Sequence, residues 1–283
     1  MKRSFYPIIF LALYLSILFP FTTYMKNKPY VEKLGYVPKG EVLRCITADH
    51  KEFVAASLVL KVLFYFGGLV DKNFNRLDLP IDYPDMSRNI HVAVKLDPYN
   101  MDAYYFAQAT LVWDARQIGI ANNLLDYGMK YRTWDYFLPF SAGFNCAYFL
   151  KDFSKAATYY KRAADLSGSE LMISLTGRYL YESGKSVMAI AYLSSMEQGA
   201  RNDSIKKSFR IRITALKEGR RIELARDRYL HDTGKKPSSV EELVRKGYLN
   251  PSPEDPYGGR FYFEPDGSVR STSKFAFGAR KKQ

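Results

Sequence analysis

Three patterns of hydrophobic and polar positions follow one another along the chain: an unbroken apolar run, then segments whose apolar residues recur every three or four positions, then short β-prone stretches. From Ser4 to Met25, 22 residues carry no charge. A helix of that length reaches about 33 Å, enough to cross a hydrocarbon core of ~30 Å. Tyr6 and Tyr24 near its ends suit the aromatic belts of a bilayer, and Pro7 and Pro20 sit where a missing N–H is tolerated. The run ends in Thr22-Thr23-Tyr24-Met25-Lys26-Asn27-Lys28, without a small-x-small cleavage pattern, so the sequence predicts an uncleaved anchor over residues 1–28. Lys2, Arg3 and the α-amino group favour an inside N-terminus against Lys26 and Lys28. The expected location is the inner (cytoplasmic) membrane, crossed once, with the body periplasmic or otherwise extracytoplasmic.

Beyond a linker at 29–48, the helical pattern repeats. Ile118-Gly119-Ile120-Ala121 aligns with Phe153-Ser154-Lys155-Ala156 and with Ser186-Val187-Met188-Ala189, and a step back reaches Met86. Seven residues on, the register gives Ala93, Gly128, Ala163 and Met196; three further on come Leu96, Tyr131 and Leu166. Small residues seven apart share one helix face and let a neighbouring helix approach closely. A recurrence at spacings of 35 and 33 residues predicts helical hairpins, each burying its apolar face on the next.

The unit Asp152–Leu166 closely resembles the second helix of a tetratricopeptide repeat (TPR), and Leu96-Asp97-Pro98-Tyr99-Asn100 resembles the family's repeat ending. Gly177 matches the small residue of a first helix, with Ile173 where an aromatic is usual; Gly143 matches only after a one-residue insertion. About four repeats over residues 49–202 are expected, with a divergent first unit, Lys51–Arg88, that carries an inserted loop near Asp71–Pro84. The resemblance implies a mainly α fold, a TPR-like α-solenoid with a concave surface. It also implies that first-helix side chains meet extended peptides, making Tyr105, Trp113, Arg178 and Tyr181 the candidate groove residues. The family's Lys/Asn carboxylate clamp is not matched. Tyr148, Phe153, Tyr159 and Tyr160 are assigned to packing between helices.

From Asp203 to Thr233, Ile205, Phe209, Ile213 and Leu216, then Ile222, Ala225 and Tyr229, recur at helical spacings with a phase slip near Gly219. This reads as one long capping helix, 203–233. A small α+β module follows at 234–273. Ser238 or Ser239 caps a short helix with Glu241 and Glu242 in its first turn, Arg245 and Lys246 in its last and Gly247 after it. Two β-prone runs around Pro265-Asp266-Gly267 predict a hairpin. From Arg226 to about Ser273 this stretch resembles the C-terminal region of type II secretion major pseudopilins, most specifically at Asp255-Pro256-Tyr257-Gly258. That family's acidic calcium-binding stretch has no counterpart here, so Asp255 is read as a turn former. Residues 274–283 form a basic tail.

Charge sharpens the picture. The chain carries +13, of which residues 1–204 hold +4 (23 basic, 19 acidic) and residues 205–283 hold +9 (19 basic, 10 acidic). Lys206, Lys207, Arg210, Arg220 and Arg221 on the long helix form a candidate basic contact surface, with an ordinary solvated face as the plainer reading and anionic lipid or an acidic protein as the sharper one. An extracytoplasmic body leaves nucleic acid out of the expected partners.

Candidate chemistry is sparse. Two cysteines, Cys45 and Cys146, exclude a disulfide framework and a four-thiolate zinc site. His50, His91 and His231 have no ligand partners at metal spacing, and Gly184-Lys185-Ser186 lacks the first glycine of a phosphate loop, which is Tyr179 here. The sequence therefore assigns no catalytic residue, metal, cofactor or small-molecule substrate. Its expected function is a membrane-anchored scaffold holding protein or peptide partners in the cell envelope, plausible in a pilus or secretion assembly. The alternative is an envelope enzyme or subunit whose site is built from scattered residues.

Overall fold

Ala55, Leu58, Val59, Val62, Tyr65 and Leu69 recur at three- and four-residue steps, which places them on one face of a helix. All six are buried. The computed structural model describes residues 6–27, 33–74, 80–200 and 202–275. Helices hold 74% of it and strands 2%, so the chain is mainly α with one small antiparallel sheet. Two compact units, Met1–Leu96 and Asp97–Gln283, divide the chain.

The first unit contains α1 (Tyr6–Asn27), α2 (Gly40–Thr47), a 3-10 turn (Ala48–His50), α3 (Lys51–Phe74) and α4 (Tyr83–Leu96). The large apolar side chains along α1 from Ile9 to Met25 are exposed, except for the half-buried Leu18. The stripe from Ala55 to Leu69 lies on α3, which packs on α4. Its opposite face exposes Phe53, Leu60 and Phe64. Two stretches are therefore long and apolar enough to cross a membrane, Ile9–Asn27 with mean hydropathy 1.4 and Gly40–Asp71 with 2.1, where the sequence reading had only the first. Residues 40–47, read as linker, form α2. Lys2, Arg3 and Lys28, on which the orientation reading rests, lie outside the described residues, as does part of the inserted loop, 75–79.

In the second unit, α5 (Met101–Ala107) runs without a break into a π turn (Gln108–Asp114), and α7 (Phe137–Asn145) runs into another (Cys146–Leu150). Between and after them come α6 (Ile118–Tyr131), α8 (Phe153–Ser167), α9 (Glu170–Glu182) and α10 (Ser186–Gly199). Contacts run between successive helices, α6 on α7, α7 on α8, α8 on α9 and α9 on α10. The small residues of the repeat register sit at these seams: Ala121, Ala156, Ala163 and Ala189 are buried. A Cβ on Gly128 would stand 2.7 Å from the Tyr104 ring, and one on Gly177 would stand 2.7 Å from Leu193. Smallness at these positions is thus a packing requirement.

The 31-residue α11 (Asp203–Thr233) packs on α10 and buries Phe209, Ile213, Leu216, Ile222, Ala225 and Tyr229. It continues unbroken through Gly219, whose missing side chain makes room for the Tyr181 hydroxyl. Asn202 caps its start and Gly234, at φ +67°, ends it. The short α12 (Val240–Arg245) is capped by Ser239, which accepts from Glu242 N at 3.2 Å, while Glu242 accepts from Ser238 N and Oγ at 2.7 Å. Strands β1 (Phe261–Phe263) and β2 (Val269–Ser271) pair antiparallel with Tyr262 opposite Arg270, joined through Gly267 at φ +89°. Asp255 closes the preceding turn: Oδ1 accepts from Tyr257 N at 2.9 Å and Oδ2 from the Ser271 and Ser273 hydroxyls, the latter at 2.6 Å. It is a turn clamp.

Candidate functional site

Both π turns are followed by a residue in the left-handed region, Arg116 two residues after the first and Lys151 directly after the second, each at φ +55°. Glycine and asparagine are the residues that suit such a position, and a long side chain there stores strain. Here both positions carry cations, 35 residues apart. The wider turn moves its carbonyls out of ordinary register, so Gln117 N reaches Leu111 O at 2.7 Å and Asp152 N reaches Cys146 O at 3.0 Å.

A buried amide network holds these turns. Gln108 and Asn145 exchange two hydrogen bonds, at 2.7 and 2.9 Å; Asn145 also donates to Asn122 Oδ1 at 2.8 Å, and Asn122 reaches Cys146 Sγ at 3.5 Å. Asn145 is fully buried. Each amide is satisfied only if the turns keep their register, which makes the network a register device. Burial pushes the Cys146 thiol up to about 11, so it is neutral and poorly nucleophilic at physiological pH.

The same π turns carry a patch of rings. Trp113 packs against Phe144, Tyr148 and Phe149 at centroid distances of 6.1, 6.0 and 5.0 Å, and Phe144 stacks on Tyr148 at 5.4 Å. Trp113 is 47% exposed and Tyr148 54%. Arg116 lies over Phe149 at 5.6 Å and Lys151 over Tyr148 at 5.3 Å. The two strained cations therefore rim an exposed aromatic surface, at positions that repeat with the period of the chain: Trp113 and Tyr148 are also 35 apart.

The sequence-assigned groove residues divide. Trp113 is at the centre of this patch. Tyr105, 50% exposed, packs instead on Phe137 at 4.3 Å. Arg178 lies over Tyr179, which stacks on Tyr160; through Phe140 and Phe137 a succession of rings connects that pair to Tyr105. Tyr181 is not a groove residue: it is 3% exposed, and its hydroxyl donates to Val269 O in the hairpin. It lies on the α9 side covered by α11 and the terminal module. Tyr148, assigned to packing, is in fact exposed, whereas Tyr160 is buried and Tyr159 donates to the Asp126 carboxylate at 2.9 and 3.0 Å. The missed signal was its register with Trp113.

The basic surface also contracts. Arg220 pairs with Glu223 at 2.9 Å; Arg221 pairs with Glu218 at 2.9 Å and donates to the Pro251 carbonyl. Both are spent on folding, and about 14 positions along a helix put them some 21 Å from Lys206 and Lys207. Arg210 pairs with Glu197 at 2.8 Å. What is left is a shallow depression lined by Lys206, Lys207 and Arg210 together with the acidic Asp203 and with Ile211, Thr214 and Pro256. Arg212, on the same helix, is buried: it donates to Ser174 O at 3.0 Å and to Phe275 O at 3.5 Å, and desolvation lowers its pKa.

Among the described residues no three His, Cys, Asp or Glu side chains converge as a metal site. No protein-family model matches the chain, and no curated protein sequence matches it.

Proposed function

We propose that the protein is a membrane-anchored scaffold whose helical hairpins stack as a TPR-like solenoid and hold an extended segment of a partner protein on the Trp113–Tyr148 surface. The carrying observation is the pairing of strain with exposure. Two left-handed turn positions hold cations rather than glycine; Lys151 lies over the exposed Tyr148 ring, and Arg116 lies over the half-buried Phe149, which packs on the exposed Trp113. Strain of this kind is expected where a surface has a task beyond packing. Aromatic and arginine side chains are also the groups that dominate protein interfaces. A partner segment with apolar side chains and negative charge fits the patch.

The exposed apolar α1 supplies the anchor in this reading, crossing the inner membrane once with the body outside the cytoplasm. The stretch through α3 is assigned to the body, because α3 is paired with α4, whose outer face carries Arg88 and Lys95, charges too costly for hydrocarbon. The pseudopilin-like turn around Asp255 favours a role in an envelope assembly such as a pilus or secretion system.

Photo-cross-linking in cells tests this. A photoreactive amino acid at position 113 or 148 is expected to give a discrete protein adduct that the same group at Lys161, on the exposed face of α8, does not. Equal labelling at all three positions would remove the assignment.

A further inference from the structure

The first unit contains a cleft of about 410 Å³, lined by Tyr36, Val37, Pro38, Lys39, Gly40 and Glu41 on one side and by Arg88, His91, Val92 and Lys95 of α4 on the other. Its lining is of two kinds. Val37, Pro38, Val92 and the Tyr36 ring, with the lysine stems, make apolar walls; Lys39, Arg88 and Lys95 bring three cations against the single carboxylate of Glu41. Arg88 is bound to Asp85 at 2.6 Å. Lys39 and Lys95 form no ion pair among the described residues. His91 Nδ1 donates to Ser87 O at 2.7 Å, which leaves Nε2 as the ring's remaining polar atom.

Apolar walls alone would suit a hydrocarbon, and cations alone would suit any anion. Their convergence in one cleft selects a molecule that carries both, a negative group beside an aliphatic chain. Lysine ammonium groups suit phosphate oxygens as point charges, with Arg88 able to donate beside them. Location agrees. Tyr36 follows Asn27, the end of α1, by nine residues, so the chain keeps the cleft within about 32 Å of the end of the apolar helix.

We propose that this cleft binds the phosphate of an anionic amphiphile, with Lys39 and Lys95 as its principal contacts and the Val37–Pro38–Val92 walls taking the adjoining aliphatic part. This site is independent of the aromatic surface in the second unit. The source is a membrane phospholipid; free phosphate is the competing outcome that the ligand series tests.

The full chain in detergent is titrated, with binding read by native mass spectrometry, against dioctanoyl phosphatidic acid, dioctanoylglycerol and inorganic phosphate. Phosphatidic acid is expected to bind at least tenfold more tightly than either of the others. Neutralising the lysines together, Lys39→Gln with Lys95→Gln, is expected to weaken it at least tenfold, while Lys39→Arg with Lys95→Arg keeps it. Lys130→Gln with Lys161→Gln, in the other unit, leaves it unchanged. Circular dichroism establishes that each variant is folded, and the arginine pair keeps the test decisive if the glutamine pair is not. Equal binding of dioctanoylglycerol would overturn the proposal by making the cations idle. Equal binding of inorganic phosphate would do so by making the walls idle. Loss of binding in a folded arginine pair would overturn the assignment to positive charge at 39 and 95, and undiminished binding in a folded glutamine pair would place any bound lipid elsewhere.

Discussion

The Tyr181 hydroxyl donates to the Val269 carbonyl at 2.8 Å, joining α9 to the β-hairpin across 88 residues of chain. Gly219 of α11 makes this possible, since a Cβ there would stand 2.7 Å from the same oxygen. Glu182 and Arg270 add an ion pair at 3.0 Å beside it. Tyr181→Phe leaves a buried carbonyl without its donor, at a cost of about 1–3 kcal/mol. Calorimetry is expected to show a lower Tm, and hydrogen exchange to show the loss concentrated at 261–271. Uniform loss across the second unit would contradict the tie.

Gly128→Ala is expected to destabilise by about 1–3 kcal/mol, because the new methyl meets a ring that cannot withdraw. Tyr104 is fully buried and its hydroxyl is bound to Pro98 O at 2.9 Å, so both ends of the side chain are held. Urea titration measures the change; an unchanged midpoint would show that the seam between α5 and α6 yields.

The two cysteines should react very differently. Cys45 is exposed and Cys146 buried, with the Cys146 thiol pushed up to about 11 by burial. Iodoacetamide at pH 8 is expected to label Cys45 in the folded protein and Cys146 only after denaturant is added. A raised folded pKa favours folding below the unfolded value, and this contribution is lost as pH climbs from about 9 toward 11. Rapid labelling of Cys146 in the native state would refute its burial.

Acid should loosen the terminal module first at Glu242. Hydrogen bonds from the Ser238 side chain and backbone, and then from Tyr229, hold its carboxyl at about 2, below the ordinary value of 4.5. A depressed folded pKa contributes stability above the unfolded value and loses it as pH falls through the window from about 4.5 to 2. Exchange of the α12 amides is expected to accelerate over that window in the wild type. In Glu242→Gln it should be fast already at pH 7 and vary little on acidification.

Replacing the two strained cations separates folding from binding. Arg116→Gly with Lys151→Gly relieves the left-handed backbone, so Tm is expected to hold or rise while the cross-links at positions 113 and 148 are lost. A Tm several degrees lower would mean that the cation–ring contacts stabilise the fold more than the strain costs.

Most helices were legible because burial imposes a period. The positions Phe209, Ile213, Leu216, Ile222, Ala225 and Tyr229 announce α11, and the small residues at 121, 156 and 189 announce the seams. The hairpin was visible in Pro265-Asp266-Gly267. What escaped is what periodicity does not encode. Arg212 has the polarity of a surface residue, yet the third turn of α11 is covered by α9 and Phe275. Tyr181 has the register of a groove residue, but its face is occupied by elements distant in sequence. Arg220 and Arg221 count toward net charge although Glu223 and Glu218 consume them locally. The cleft beside Lys39 was hidden in a stretch read as linker.

The π turns give the irregular spacing of the units a mechanical origin. Gly143 precedes its partner landmark Ala156 by thirteen residues, while Gly177 precedes Ala189 by twelve, and only the longer interval contains a π turn. Gln108 and Ala121, also thirteen apart, enclose the other one. The surplus residue lies in an interval whose extra turn is helical rather than a loop. A comparison of these segments that permits gaps only between helices will therefore slip by one residue across each π turn.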